Sequence, residues 1–147
     1  MKLVAQLESI GHLFLDTAPV IYFVEKNPEY LERSQEVFSC LDEGKFIAVV
    51  SPITLSECLV VRYRLQKPEV AAAFTDLLGN SENVLFYPID EITADKAADL
   101  RARYNLTLTE AFQLATAIQA ECDAFLTNDV SLKRVSEISI IILSEAE

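Results

Sequence analysis

The stretch "HLFLDTAPVIYFVE", residues 12–25, holds two apolar runs parted by one acid, Asp16, and by Thr17, Ala18 and Pro19. The first run is short and ends at a turn signal, as a buried strand does. The second starts at a proline, which suits the first turn of a helix. A strand that feeds a helix is the repeating unit of a parallel α/β sheet. Asp16 stands at the junction with no basic residue near it in sequence. It caps the helix that follows, since aspartate is a good N-cap, or it belongs to a group of residues that the fold gathers at one sheet edge.

The same alternation continues along the chain. Strands are predicted at residues 12–16, 46–50, 84–87, 124–127 and 138–143, with helical segments between them. Pro28 after Asn27 reads as a first-turn proline, and Gly44 as the residue that follows a helix ending near Glu43. Ser51 and Pro52 read as N-cap and first residue of another helix, and Asp90 as the cap of a helix reaching about Tyr104. Ala111, Leu114, Ala115 and Ile118 repeat at helical spacing. The expected fold is α/β, with a mainly parallel sheet covered on both faces. In such sheets ligands bind outside the carboxyl ends of the strands.

The bulk numbers bound the rest. The 147 residues fit one domain spanning the chain, with residues 1–11 as a short helical extension that Gly11 stops. Hydrophobic residues make up 51% and mean hydropathy is +0.23. That excess suggests an interface with another chain, with a large core alone as the alternative. The formal net charge of −11 repels polyanions unless cations or local basic patches intervene, and it suits a basic partner. Cys40, Cys58 and Cys122 are scattered and His12 is the sole histidine, which argues against a Cys/His zinc site and for reduced cysteines in a cytoplasmic protein. The N-terminus lacks the pattern of a signal peptide. No apolar run approaches the ~18 residues of a membrane span, so no membrane association is expected.

Four acids fall at or after strand ends: Asp16, Glu57, Glu110 and Asp129. Each has a purely structural explanation beside the functional one. Asp16 and Asp129 would serve as helix caps, and Thr107 to Glu110 matches a capping box. For Glu57 the structural explanation is weaker: Thr54 to Glu57 matches a capping-box spacing, but Ser51-Pro52 is the better helix start. The helical neighbours of Glu57, namely Ile53, Thr54, Val60 and Val61, offer no ion-pair partner, and an unpaired carboxylate on an apolar face is costly. Three glycines far apart exclude a phosphate-cradling loop, and one histidine leaves little for a Ser-His-Asp relay. Acids without His or Cys favour a hard cation, Mg²⁺ or Mn²⁺, and such ions do phosphoryl chemistry. Arg62, Arg64 and Lys67 are the local candidates for phosphate contacts, with a solvated basic face as the ordinary alternative.

Three segments in order, "LDTAPVIYFVE", "SPITLSECL" and "LTLTEAFQLATAIQAECDAFLTND", resemble the PIN-domain family and its VapC-type toxin ribonucleases. The resemblance runs from about Gly11 to Leu143. It implies a three-layer α/β/α sandwich and a Mg²⁺- or Mn²⁺-dependent endoribonuclease leaving 5′-phosphate and 3′-hydroxyl ends. Asp16 would be the first metal ligand, Glu57 the second acid, Glu110 the third and Asp129 the fourth, with Thr17 and Asn128 orienting water or phosphate oxygens. The family's third acid is an aspartate, so Glu110 departs from the pattern by one methylene. The resemblance also implies an RNA substrate and a small antitoxin with a basic segment. The apolar helix at residues 53–65 reads as a surface for such a partner or for a homodimer, or as a helix buried on two sides. A non-catalytic PIN-like binding module is the alternative. A phosphate-accepting signalling domain fits worse, because Asp16 is followed by Thr17 rather than a second acid.

Overall fold

A computed structural model describes residues 2–146. Five strands run β1 (His12–Leu15), β2 (Ile47–Val50), β3 (Val84–Phe86), β4 (Ala124–Thr127) and β5 (Ser139–Ile142). They form one sheet in the order β3-β2-β1-β4-β5, and every pairing is parallel. Among the described residues seven helices surround it: α1 (Leu3–Leu7), α2 (Thr17–Val24), α3 (Leu31–Asp42), α4 (Pro52–Arg64), α5 (Pro68–Asn80), α6 (Glu91–Tyr104) and α7 (Leu108–Gln119). Two 3₁₀ turns, Val130–Arg134 and Leu143–Glu145, follow β4 and β5.

The alternation of side chains along each strand builds two cores, one on either face. Leu13, Leu15, Ala48, Val50 and Leu126 join one buried cluster with Val20, Val37, Phe38 and Phe74 from α2, α3 and α5. Phe14, Val49 and Phe125 point the other way, into Ala97, Leu100, Leu114 and Ala115 of α6 and α7. The Phe14 and Phe125 rings stack with centroids 5.1 Å apart across β1 and β4.

Helix starts follow their caps. Ser51 caps α4 in a capping box with Thr54, and Pro52 occupies the first turn. Asp90 accepts the Thr93 N–H at 2.9 Å to open α6. Gly44 leaves α3 at φ 74°, the left-handed region that glycine adopts without strain. Two expectations are corrected. Pro28 does not open a helix: Asn27 Oδ1 accepts from the Glu29 and Tyr30 N–H groups, forming a turn, and α3 begins only at Leu31. Gly11 does not stop α1, which ends at Leu7. Instead Gly11 lets the Asp123 carboxylate approach, so that Oδ2 accepts the Gly11 and His12 N–H groups at 2.8 and 2.9 Å. Among the described residues no helix is long and apolar enough to cross a membrane, and all three cysteines are free.

Because all strands are parallel, their carboxyl ends share one edge. β1 lies between β2 and β4, so the residues after Leu15, Val50 and Thr127 meet in the middle of that edge.

Candidate active site

Asp16 comes directly after β1. Its Oδ1 accepts the Thr17 N–H at 2.9 Å, so it does cap α2. Its Oδ2 accepts the Thr127 hydroxyl at 2.8 Å, a bond across from β4. Capping leaves the carboxylate facing a cleft of about 350 Å³ lined by Asp16, Thr17, Glu57, Thr107, Glu110 and Gln113, among others. Glu57 enters from α4 nearly two turns beyond its Ser51 cap. The Thr17 hydroxyl donates to Glu57 Oε1 at 2.8 Å, and this bond is what joins Glu57 to Asp16. Burial pushes the Asp16 carboxyl above the usual aspartate range. The Thr127 and Thr17 hydrogen bonds oppose that shift, and the nearby Glu57 charge adds to it.

Glu110 reaches the same cleft from the first turn of α7. Its Oε1 accepts the Thr107 N–H at 2.8 Å while its own N–H donates to the Thr107 hydroxyl at 3.2 Å. The capping box therefore forms and holds this carboxylate toward the helix end. Asp129 caps the 3₁₀ turn after β4, accepting the Ser131 hydroxyl and N–H on Oδ1 at 2.7 and 3.0 Å. Those bonds hold its carboxyl below the usual range, and the Glu110 side chain lies beside it. The four acids thus arrive as two pairs, Asp16 with Glu57 and Glu110 with Asp129.

The remaining predicted residues are placed elsewhere. Asn128 donates to the Tyr22 hydroxyl at 3.2 Å and accepts the Ser144 N–H at 2.8 Å, so its amide braces β4 against α2 and the C-terminal turn, and it does not line the cleft. Arg62 is 5% exposed, which corrects the expectation of a solvated basic residue. Its guanidinium binds Glu25 through two contacts of 2.5 and 3.0 Å and lies 5.0 Å above the centre of the Phe74 ring. No surface is left on it for a phosphate. Arg64 and Lys67 are exposed, with Arg64 about 10 Å along the helix axis from Glu57.

Two residues that sequence reasoning passed over belong to the site. Thr127 anchors Asp16. Gln113 is buried beside it and bridges α7 to Ser51 and Thr54 of the α4 cap. The signal for Gln113 was present in "EAFQLATAI", an amide within a helix so apolar that every side of it must be covered.

The donor set is one of carboxylate oxygens, the hard ligands that Mg²⁺ and Mn²⁺ take. A divalent cation beside Asp16 and Glu57 would also offset the repulsion between them. Among the described residues no three His, Cys, Asp or Glu side chains stand together as a ready ion site. The fit is therefore one of ligand chemistry, centred on Asp16 and Glu57.

The sequence pattern of the PIN domain matches residues 13–138, nearly the whole chain. The chain belongs to the PIN-domain family. Strands β2, β3 and β4, all but the first residue of β1, and the acids at the carboxyl edge lie within the matched span, and β5 follows it directly. No curated protein matches this PIN domain in sequence. Solved structures do share its fold. VapBC2 from Rickettsia felis, bound to a promoter DNA fragment, superposes with a TM-score of 0.69 at 15% identity, covering 89% of this chain and 98% of that one. Mycobacterium tuberculosis VapC20, described as a sarcin-ricin loop cleaving toxin, gives 0.69 at 14% identity over 86% and 98%. VapBC-1 from nontypeable Haemophilus influenzae gives 0.67 at 20% identity over 91% and 99%.

Proposed function

We propose that this PIN domain is a divalent-metal-dependent endoribonuclease, acting as the toxin of a toxin–antitoxin pair. The observation that carries the reading is the Asp16–Glu57 pair, joined by the Thr17 hydroxyl at the floor of a cleft that Glu110 also lines. Asp16 and Glu57 would hold a Mg²⁺ or Mn²⁺ ion. When bound, the ion supplies an activated water and charge stabilisation at the scissile phosphate. Thr127 and Thr17 fix the two carboxylates in their rotamers. Glu110 lines the cleft and Asp129 lies beside Glu110 outside that lining, and the two would shape the approach of the phosphate. Arg64 and Lys67 remain as exposed cations for the RNA strand.

The net charge of −11 supports selective rather than general RNA binding, and it supports a protein partner with a basic segment that neutralises the cleft. The structural neighbours solved as VapBC complexes support an antitoxin of this kind. α4 exposes Val60, Val61 and Tyr63, and Leu65 follows at its end. We assign this apolar face to a homodimer contact.

The test is cleavage of a pool of structured RNAs with Mn²⁺. Wild type is expected to cut and Asp16→Asn to lose cleavage. Glu110→Asp, which restores the family's residue, is expected to cut faster, because a misplacement of roughly 1 Å costs on the order of 10²-fold in rate. Undiminished cleavage by Asp16→Asn would sink the assignment. One observation favours the second reading, a non-catalytic binding module: Glu110 is engaged in its capping box rather than turned to the Asp16–Glu57 pair. Under that reading neither wild type nor Glu110→Asp cuts, while a basic partner still binds.

A further inference from the structure

Gln113 is 2% exposed on α7, three residues past Glu110. Its Oε1 accepts the Ser51 hydroxyl, and its Nε2 donates to Thr54 Oγ1 at 2.8 Å. Ser51 and Thr54 are fully buried and form the capping box of α4. Thr54 lies one turn before Glu57 on that helix, on the same face. The Gln113 amide has two N–H donors. With one on Thr54, the other is free to face the cleft, which Gln113 lines together with Asp16 and Glu57. A buried amide is costly unless its bonds are made, and an apolar side chain of equal volume would pack here without that cost. The polar network is complete: among the described residues no buried side-chain nitrogen or oxygen lacks a partner.

We propose that Gln113 is a positioning residue. It ties α7, which carries Glu110, to the first turn of α4, which carries Glu57, in the cleft that Asp16 also lines, so that it sets the affinity of the cleft for a divalent cation. This rests on the metal-site reading given above. Its ordinary rival is a polar bridge that holds two helices together and leaves the cation site alone.

Mn²⁺ binding by calorimetry, with a thermal melt of each metal-free protein, separates the two. Wild type, Gln113→Met, Thr54→Val and the double variant are compared. Partners that orient metal-binding carboxylates typically contribute 10- to 100-fold in affinity, so Gln113→Met is expected to weaken Mn²⁺ binding by at least about tenfold. Thr54→Val is expected to weaken it less. The double variant should be no weaker than Gln113→Met, because residues acting as one unit are not additive. Should Gln113→Met not fold, Gln113→Asn, too short to reach both hydroxyls, carries the same comparison. A lower melting temperature with wild-type Mn²⁺ affinity overturns the proposal, as do effects that multiply in the double variant. Wild type that binds no Mn²⁺ overturns the functional reading and this inference with it. Wild-type binding that the Gln113 variants retain overturns this inference alone.

Discussion

Asp16 keeps a carboxylate where burial and the Glu57 charge both oppose ionisation, while hydrogen bonds from Thr127 and Thr17 favour it. The balance leaves its pKa raised, so the folded protein binds this proton more readily than the unfolded chain does. That contribution favours folding below about pH 3.9, the ordinary aspartate value, and is lost as pH rises through the raised value. At neutral pH an ionised Asp16 therefore destabilises the fold. Asp16→Asn is expected to melt at a higher temperature than wild type at pH 7 without added metal, and the gap should close below about pH 4. Melts across a pH series check this, and a lower melting temperature at pH 7 would contradict it. The same substitution removes the ligand, so stability rises as activity is lost, a common trade at functional sites.

α2 and α4 are fastened at their far ends by Glu25, the C-cap of α2, and Arg62 of α4. The two partners are unequal. Arg62 is enclosed, its side chain 6% exposed against 39% for that of Glu25. Removing Glu25 strands a buried guanidinium, whereas replacing Arg62 leaves a carboxylate that water can reach. Glu25→Ala is expected to lower stability by about 3 kcal/mol, the low end for breaking a buried pair, since Glu25 is partly solvated. Arg62→Met, which keeps a long side chain over Phe74, is expected to lower it by less. Urea unfolding of both variants measures the difference, and equal losses would show that the pair acts as an ordinary surface bridge.

Across the whole molecule, charge and apolar surface are distributed unevenly. The chain carries −11, yet α4 presents Tyr63 at 63% exposure, with Val60 and Val61 on the same turn. If this face joins two copies, Tyr63→Glu should leave the fold intact and convert a dimer to a monomer in sedimentation velocity. A wild-type monomer at micromolar concentration would refute the assignment. The sheet at the centre behaves differently. Phe125→Ala removes a ring stacked on Phe14 in a fully buried layer, and a loss of about 3–5 kcal/mol is expected from chemical denaturation.

The sequence by itself determined the five strands, the parallel α/β class and most helix starts. Period, apolar runs and caps such as Ser51, Asp90 and Thr107 act within a few residues, so they can be read locally. It also marked Asp16 and Glu57, because a carboxylate without a local partner stands out in an apolar context. Only the tertiary structure decided which polar groups meet. The strand order places β4 beside β1, which gives Asp16 its bond from Thr127, 111 positions away. Packing of α7 on α4 joins Gln113 to Thr54 across 59 positions. Packing of α2 and α5 against α4 buries Arg62 against Glu25 and Phe74, where the sequence alone suggested a solvated cation. Such bonds depend on how far apart groups lie in space, and spacing along the chain does not encode that. Glu110 shows both levels at once: its capping box was legible as "TLTE", while its place in the cleft and beside Asp129 follows only from the fold.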